Sequence, residues 1–505
     1  MDRPEPAVLG AASEPPSPAI APAPPRRLAI NLLWLSVGEF TAKLLTFGAF
    51  SHLARTLGPG EYGFIEFTLA VMVFFSLPVD LGLSSYGARE IARNPEKAPR
   101  LLHEITGLRM ALSLCSIAAL AVFLVFLHKS SELKVLLGLY GASLLAGPFL
   151  LQWFFQAYDQ MVWVGLASIV RQAGFAGLVF LIFRHGASLI YLGLVECVSV
   201  TGAAVFCIYV TRHKMRVAWP WPDLRSRNLS GHLREASPIG LTELAWGFMW
   251  YFSTVLLGFI YPDWTLGWFG ASHRALMALH TFVWLYFFNL LPSISRCAVL
   301  PHQTLLELMD RSVRFTAWIG LFAGGFLTAL SPQIMPLLYG PQFRGAAHMF
   351  AVLVWMLPIA LLSGHHRYIL VGYKCQNRLL LCTVASAAAS VTLGLALVPK
   401  YGGEGAAWAL LAANVANLAM VYFSVRALIV EVPIHRQIFL PLGALAVSIL
   451  VYLVVLPRNE WAALAAACLV YLGCFAWADG RRLAGFAVTI IRKPGVSVVA
   501  ASAAD

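Results

Sequence analysis

Blocks of about twenty consecutive apolar residues recur along the chain, separated by short polar stretches. At 1.5 Å per residue, one such block wound as a helix crosses a hydrocarbon layer of about 30 Å. In lipid every backbone N–H and C=O must be satisfied within the protein, which leaves helices or closed barrels. Barrel strands alternate apolar and polar residues over about ten positions, and these blocks do not. Composition agrees: 59% of residues are hydrophobic and only 12% charged, against about 25% charged in a soluble domain. The chain reads as an all-α polytopic membrane protein of about fourteen spans. They are expected near 28–52, 61–85, 103–127, 134–158, 163–183, 187–211, 235–260, 265–292, 312–335, 346–372, 376–398, 404–425, 437–456 and 460–478.

Residues 1–27 form a Pro-rich leader that lacks the basic start and apolar core of a signal peptide. It is expected to be disordered in the cytoplasm. Next come an N-lobe of six spans (28–212), a basic cytoplasmic linker (213–233), a C-lobe of six spans (234–426), two further spans (427–478) and a cytoplasmic tail (479–505). Alternating the spans across the membrane puts 24 of the 36 Lys and Arg residues on the side of the leader and 7 on the other. Cytoplasmic loops carry the excess of basic residues, so both termini are expected in the cytoplasm. The net charge of +12 thereby belongs to membrane orientation, and no nucleic-acid partner is expected. The eight cysteines contain no CxxC pair and read as small buried hydrophobes.

The two lobes look like copies of one unit. Aligning Gly63 with Gly267 gives an offset of 204 residues, and the same offset places Glu39 on Glu243. Both copies begin on the same side, which makes them parallel repeats about an axis along the membrane normal. Transporters of that design bind substrate between the halves and rock one half against the other.

Five basic residues fall inside spans: Lys43, Arg109, Arg171, Arg274 and Arg367. A charge at the bilayer centre costs about 2.5–3.5 kcal/mol on insertion scales, so it must face protein or a wet cavity. Glu39 and Lys43 are four apart on one helix face, a spacing that suits a self-neutralising pair. The sharper reading gives Lys43 a phosphate and Glu39 a coupling proton or sodium ion. Glu243 shares a face with Trp246 and Trp250; sugar stacking and an interfacial tryptophan belt are both open, the belt being commoner. Arg109, Arg171 and Arg367 lie near span ends and are expected to snorkel. Glu66, His273 and His280 are cavity candidates, Glu66 being deeper than Asp80 or Glu196. The adjacent His365 and His366 point to different helix faces, so no metal site is expected. Trp219 and Trp221 mark the basic linker; such a segment can lie on anionic lipid, but a plain connection between lobes is the preferred reading.

Several segments resemble one family. The run LGPGEYGFIEFTLAVMVFFSLPVDLGLSSYGAREIAR (57–93) resembles the opening of bacterial polysaccharide-biosynthesis membrane proteins. The later stretches MPLLYGPQFRGAAHMFAVLVWMLPIA (335–360), ILVGYKCQNRLLL and LALVPKYGGEGAAWA are similar to them too. These are the oligosaccharide flippases of the multidrug/oligosaccharidyl-lipid/polysaccharide exporter superfamily. The resemblance implies two six-helix lobes set as a V around a central cavity, often followed by two extra helices. It implies movement of an undecaprenyl-diphosphate-linked oligosaccharide across the bacterial inner membrane for O-antigen or exopolysaccharide synthesis. Such flippases often carry a cavity-facing arginine where Arg274 stands, and a guanidinium can grip diphosphate oxygens bidentately; an arginine that snorkels to an interface or pairs a carboxylate is the equal alternative. Related cation-coupled exporters carry carboxylates on the first and seventh spans, where Glu39 and Glu243 stand.

No ATP-binding loop, HExxH or GxSxG motif is present, so a transporter without cofactor, metal or catalytic residue is expected. Membrane lipid is a partner by necessity; polysaccharide polymerase machinery is a partner the role leaves open. The alternative is a cation-coupled multidrug exporter of the same fold. A membrane glycosyltransferase or polymerase fits worse, because no loop expected outside is long.

Overall fold

The computed structural model describes residues 25–184, 187–217, 219–226 and 228–480. The leader up to residue 24 and the tail beyond residue 480 lie outside these. Every regular element among the described residues is helical. In chain order they are α1 (Pro25–Asp80), α2 (Leu83–Arg93), α3 (Ala98–Phe126), α4 (Ser131–Ser143), α5 (Gln152–Ala157), α6 (Met161–Ile182), α7 (Ile190–Tyr209) and α8 (Leu229–Ile260). There follow α9 (Asp263–Cys297), α10 (His302–Ala329), α11 (Ser331–Tyr339), α12 (Ala346–Leu353), α13 (Met356–Gly372), α14 (Gln376–Leu428), α15 (Ile434–Val455) and α16 (Glu460–Ala478).

Eleven stretches are long and apolar enough to cross a membrane, and the bent pair α10–α11 makes a twelfth. Two of them, 58 and 53 residues long, contain a glycine with non-helical angles, Gly58 at φ 76° and Gly402 at φ 58°. A straight helix of the first length would measure about 87 Å, nearly three hydrocarbon layers. Both instead fold back on themselves. Phe50 and Glu66, on opposite sides of Gly58, touch the same guanidinium. A Cβ added to Gly405 would lie 2.3 Å from the Leu397 carbonyl oxygen. Each long stretch is therefore two spans, and the described chain crosses about fourteen times.

Small residues let the two halves meet backbone to backbone. A Cβ on Gly63 would stand 2.0 Å from the Asp263 carbonyl oxygen, and one on Gly267 would stand 1.9 Å from that of Pro59. The two contacts exchange under the 204-residue repeat, since 59 is equivalent to 263 and 63 to 267. Between them Gly270 meets Glu66, its own equivalent, 2.2 Å from Cβ to Cγ. A pseudo-twofold axis therefore runs between the second leg of α1 and α9. The fourth span, interrupted at Leu144–Phe149, and the tenth, interrupted at 354–355, are both broken helices.

The main apolar core runs through both halves; a second cluster lies around α2, α3 and α5. The first turns of α8 join that second cluster through Leu233 and Ala236, so the C-terminal half begins packed on the N-terminal one. This helix starts at Leu229, six residues before the expected span. A third cluster ties α15 and α16 to α10, where Asp479 accepts from Trp318 Nε1 at 2.9 Å and lies 3.1 Å from Arg314.

Candidate functional site

Arg274 stands about three turns into α9, beside the axis. Its Nε donates to Glu66 Oε1 at 2.8 Å and to the Tyr62 hydroxyl at 3.1 Å, and its Nη2 lies 2.7 Å from the same Glu66 oxygen. The guanidinium carbon is 3.6 Å from the centroid of the Phe50 ring. A cation carried by the second half is thus held by three side chains of the first. The local sequence explains the geometry. Tyr62 and Glu66 are four apart and share a helix face. Gly270, one turn before Arg274, carries no side chain, and Glu66 occupies the room this leaves. Charge-assisted bonds and a face-on aromatic ring are what a buried guanidinium requires. Tyr62 and Phe50 were not singled out in the sequence; the i, i+4 spacing of Tyr62 and Glu66 was the available signal.

Lys43 is exposed and has no ionic or hydrogen-bonding partner among the described residues. It does not neutralise Glu39, which instead accepts from Ser168 Oγ of α6 at 2.9 Å. The repeat pairs Lys43 with Gly247, where an added Cβ would meet Leu77 and Val73 of the other half, and Phe40, three residues before Lys43, lies 6.3 Å from Phe282 of α9 between ring centroids. Glu243 is exposed on α8, and the charges acting on it are Arg367 and Asp80.

One of the two tryptophans on this helix is a core residue. Trp250 is 3% exposed and packs against His280 at 5.2 Å, His273 at 6.1 Å and Trp246 at 5.8 Å between ring centroids. His273 is buried and stacks on Phe269; neither its Nε2 nor Trp250 Nε1 has a hydrogen-bond partner among the described residues.

Two of the arginines expected to snorkel do not. Arg109 is buried, 3.3 Å from Asp80 Oδ1, with Nη1 donating to the Leu150 carbonyl. Arg171 pairs with Glu196 at 2.7 Å. Desolvation makes a partner worth more than a reach for the interface when a carboxylate lies on the neighbouring span. Arg367 is exposed and has no ion pair among the described residues. His365 is buried between the Leu361 carbonyl and Ser312 Oγ, each 2.7 Å away, which accounts for its place in the core.

A family model described as polysaccharide biosynthesis protein matches residues 28–298, more than half of the chain. The chain belongs to this family. A relative from Escherichia coli (strain K12), named "Putative O-antigen transporter", is 22% identical over 78% of this chain and 96% of its own length. A protein of the same name from Shigella dysenteriae is 22% identical over 62% of this chain and 78% of its own. Among solved structures, the lipid II flippase MurJ in an inward closed conformation superposes with a TM-score of 0.72 at 16% identity, covering 89% of this chain and 99% of that one. An inward-facing multidrug resistance MATE family transporter of the MOP superfamily gives 0.58 at 14% identity, covering 79% and 98%. The fold of this polysaccharide biosynthesis family member is thus that of the MurJ and MATE transporters, and the chain is a multi-pass membrane protein.

Proposed function

We propose that this chain is a flippase. It moves an undecaprenyl-diphosphate-linked oligosaccharide across the bacterial inner membrane, from the cytoplasmic to the periplasmic face, for O-antigen or exopolysaccharide synthesis. Family membership and the names of the two relatives support the substrate class. The observation that carries the reading is the set of cations inside the bundle. Arg274 is held between the halves by a carboxylate, and Lys43, within the first span, is exposed without one among the described residues. A diphosphate offers the oxygens that both need, and as Glu66 and Arg274 move apart it replaces the carboxylate at the guanidinium.

The mechanism is alternating access about the pseudo-twofold axis, the two lobes opening first to one face and then to the other. Glu39 and Glu243, equivalent under the repeat, are the candidates to bind a coupling proton or sodium ion. The 24-to-7 division of basic residues supports cytoplasmic termini, which puts the Gly58 end of the bundle in the periplasm.

Complementation tests this. A strain lacking the gene should lose surface polymer and accumulate the lipid-linked precursor on the cytoplasmic face. Wild type should restore export; Arg274→Ala and Lys43→Ala, at matched membrane abundance, should not. Unchanged polymer with increased sensitivity to cationic dyes would replace the flippase by the multidrug exporter.

A further inference from the structure

The linker between the halves carries a feature that the flippase reading does not use. After the π-turn Val210–Lys214 the chain runs extended toward α8. In this stretch Trp219 and Trp221 straddle the buried Pro220, and their own rings are left out of the core. Trp221 is 67% exposed, and Leu224 beside it is exposed as well. A mere connection does not need two bare indoles held in place, and this stretch is held firmly. His103 Nδ1 bonds the Trp221 carbonyl at 2.9 Å, and Asp223 N donates to the His103 carbonyl at 3.1 Å. A Cβ on Gly107 would lie 2.5 Å from the Asp223 carbonyl oxygen.

These anchors fix a height. Counting back from Phe126, the end of α3, the twenty residues that span a hydrocarbon layer of about 30 Å reach Gly107. That stretch carries only one charged residue, Arg109. The linker therefore crosses α3 at the edge of the apolar slab, and Trp221, bonded one turn further out at His103, stands at headgroup level. This is the layer in which indole rings settle, with an apolar body and a polar N–H.

The charge along this stretch is mostly positive. Arg212, Lys214, Arg216 and Arg225 are all exposed, and none makes an ion pair among the described residues. The guanidinium of Arg212 lies 5.8 Å from the Trp219 centroid. The one carboxylate inside the stretch, Asp223, accepts from the Arg225 backbone N–H at 2.8 Å and is outnumbered four to one by these cations. Exposed indoles at interface height, in a stretch rich in unpaired cations, complement a membrane surface of negative charge.

We propose that residues 219–223, with Arg212, Lys214 and Arg225, form a docking surface for anionic phospholipid headgroups of the adjacent leaflet. The surface anchors the joint between the two halves to the membrane while the halves move. It does not depend on which substrate the protein carries.

Hydroxyl-radical footprinting of the full chain in nanodiscs, read residue by residue by mass spectrometry, tests this. Discs of phosphatidylcholine alone are compared with discs containing phosphatidylglycerol, with Trp264 at the opposite end as internal reference. Oxidation of Trp219 and Trp221 should fall several-fold with phosphatidylglycerol, while Trp264 stays constant. The variant Arg212→Gln/Lys214→Gln/Arg225→Gln, which removes surface charge alone, should lose that difference. Equal oxidation in both discs would overturn the proposal, as would protection seen only in native membranes, which indicates a protein partner. Protection that persists in the triple variant would overturn the role given to the cations.

Discussion

The contact that most distinguishes this bundle is one guanidinium of the second half held by three side chains of the first, Phe50, Tyr62 and Glu66. Removing one partner of a buried ion pair leaves the other uncompensated, at a cost of about 3–5 kcal/mol, whereas replacing both by apolar groups is often neutral. Glu66→Gln is therefore expected to lower the thermal midpoint of the detergent-solubilised protein sharply. Glu66→Met/Arg274→Met should recover most of that loss, and a double-mutant cycle of unfolding measurements checks the sign. Equal, additive losses would mean that the pair does not act as a unit. At this scale the sequence was only half legible. That Arg274 had to face protein or a wet cavity followed from its place inside a span, but which carboxylate would meet it did not. Glu66 lies 208 residues away, and only the crossing of two helices joins them. Lys43 and Glu39 show the reverse error. Their spacing allows a pair, yet Ser168 takes the glutamate because α6 packs against that face of the span.

Elements in this protein are set by where glycine stands as much as by where apolar residues stand. Gly402 takes φ 58° and ψ −131°, a conformation closed to residues with a Cβ. Gly402→Ala is expected to cost about 1–3 kcal/mol, seen as a lower melting midpoint and reduced membrane abundance. Gly267→Ala should be worse, because its Cβ would meet the rigid Pro59 backbone in the opposite half. Gly60→Ala, where a Cβ meets nothing within 4 Å, is the control and should melt as wild type does. Hydropathy located nearly all the spans, because the bilayer's thickness dictates their length. It could not place the early start of α8, whose first turns are polar and owe their helix to packing on α2 and α3. Neither could it tell broken spans from whole ones, since a break costs nothing in hydropathy.

The repeat is the one long-range feature that the sequence carried openly. Gly63 and Gly267 were aligned as equivalents, and the structure brings each against the start of the other's hairpin. A duplication constrains the whole molecule in this way because equivalent surfaces must meet about one axis. The repeat does not reveal which end of the seam parts, and that is open to experiment. At the Gly58 end the halves are joined by Lys129 to Asp263 at 3.5 Å, by Ser51 Oγ to the Leu338 carbonyl, and by Arg55 to the Leu337 and Leu338 carbonyls. Alternating access requires every one of these to separate once per cycle. Lys129→Cys and Asp263→Cys, joined by a reducible thiol crosslinker, should therefore stop transfer of a fluorescent lipid-linked oligosaccharide in proteoliposomes, and reductant should restore it. Each single cysteine variant, treated alike, should transport as before, which excludes modification of the eight native cysteines as the cause. If the crosslinked protein still transports at the full rate, this end never opens, and substrate must cross by a path that leaves the two halves together.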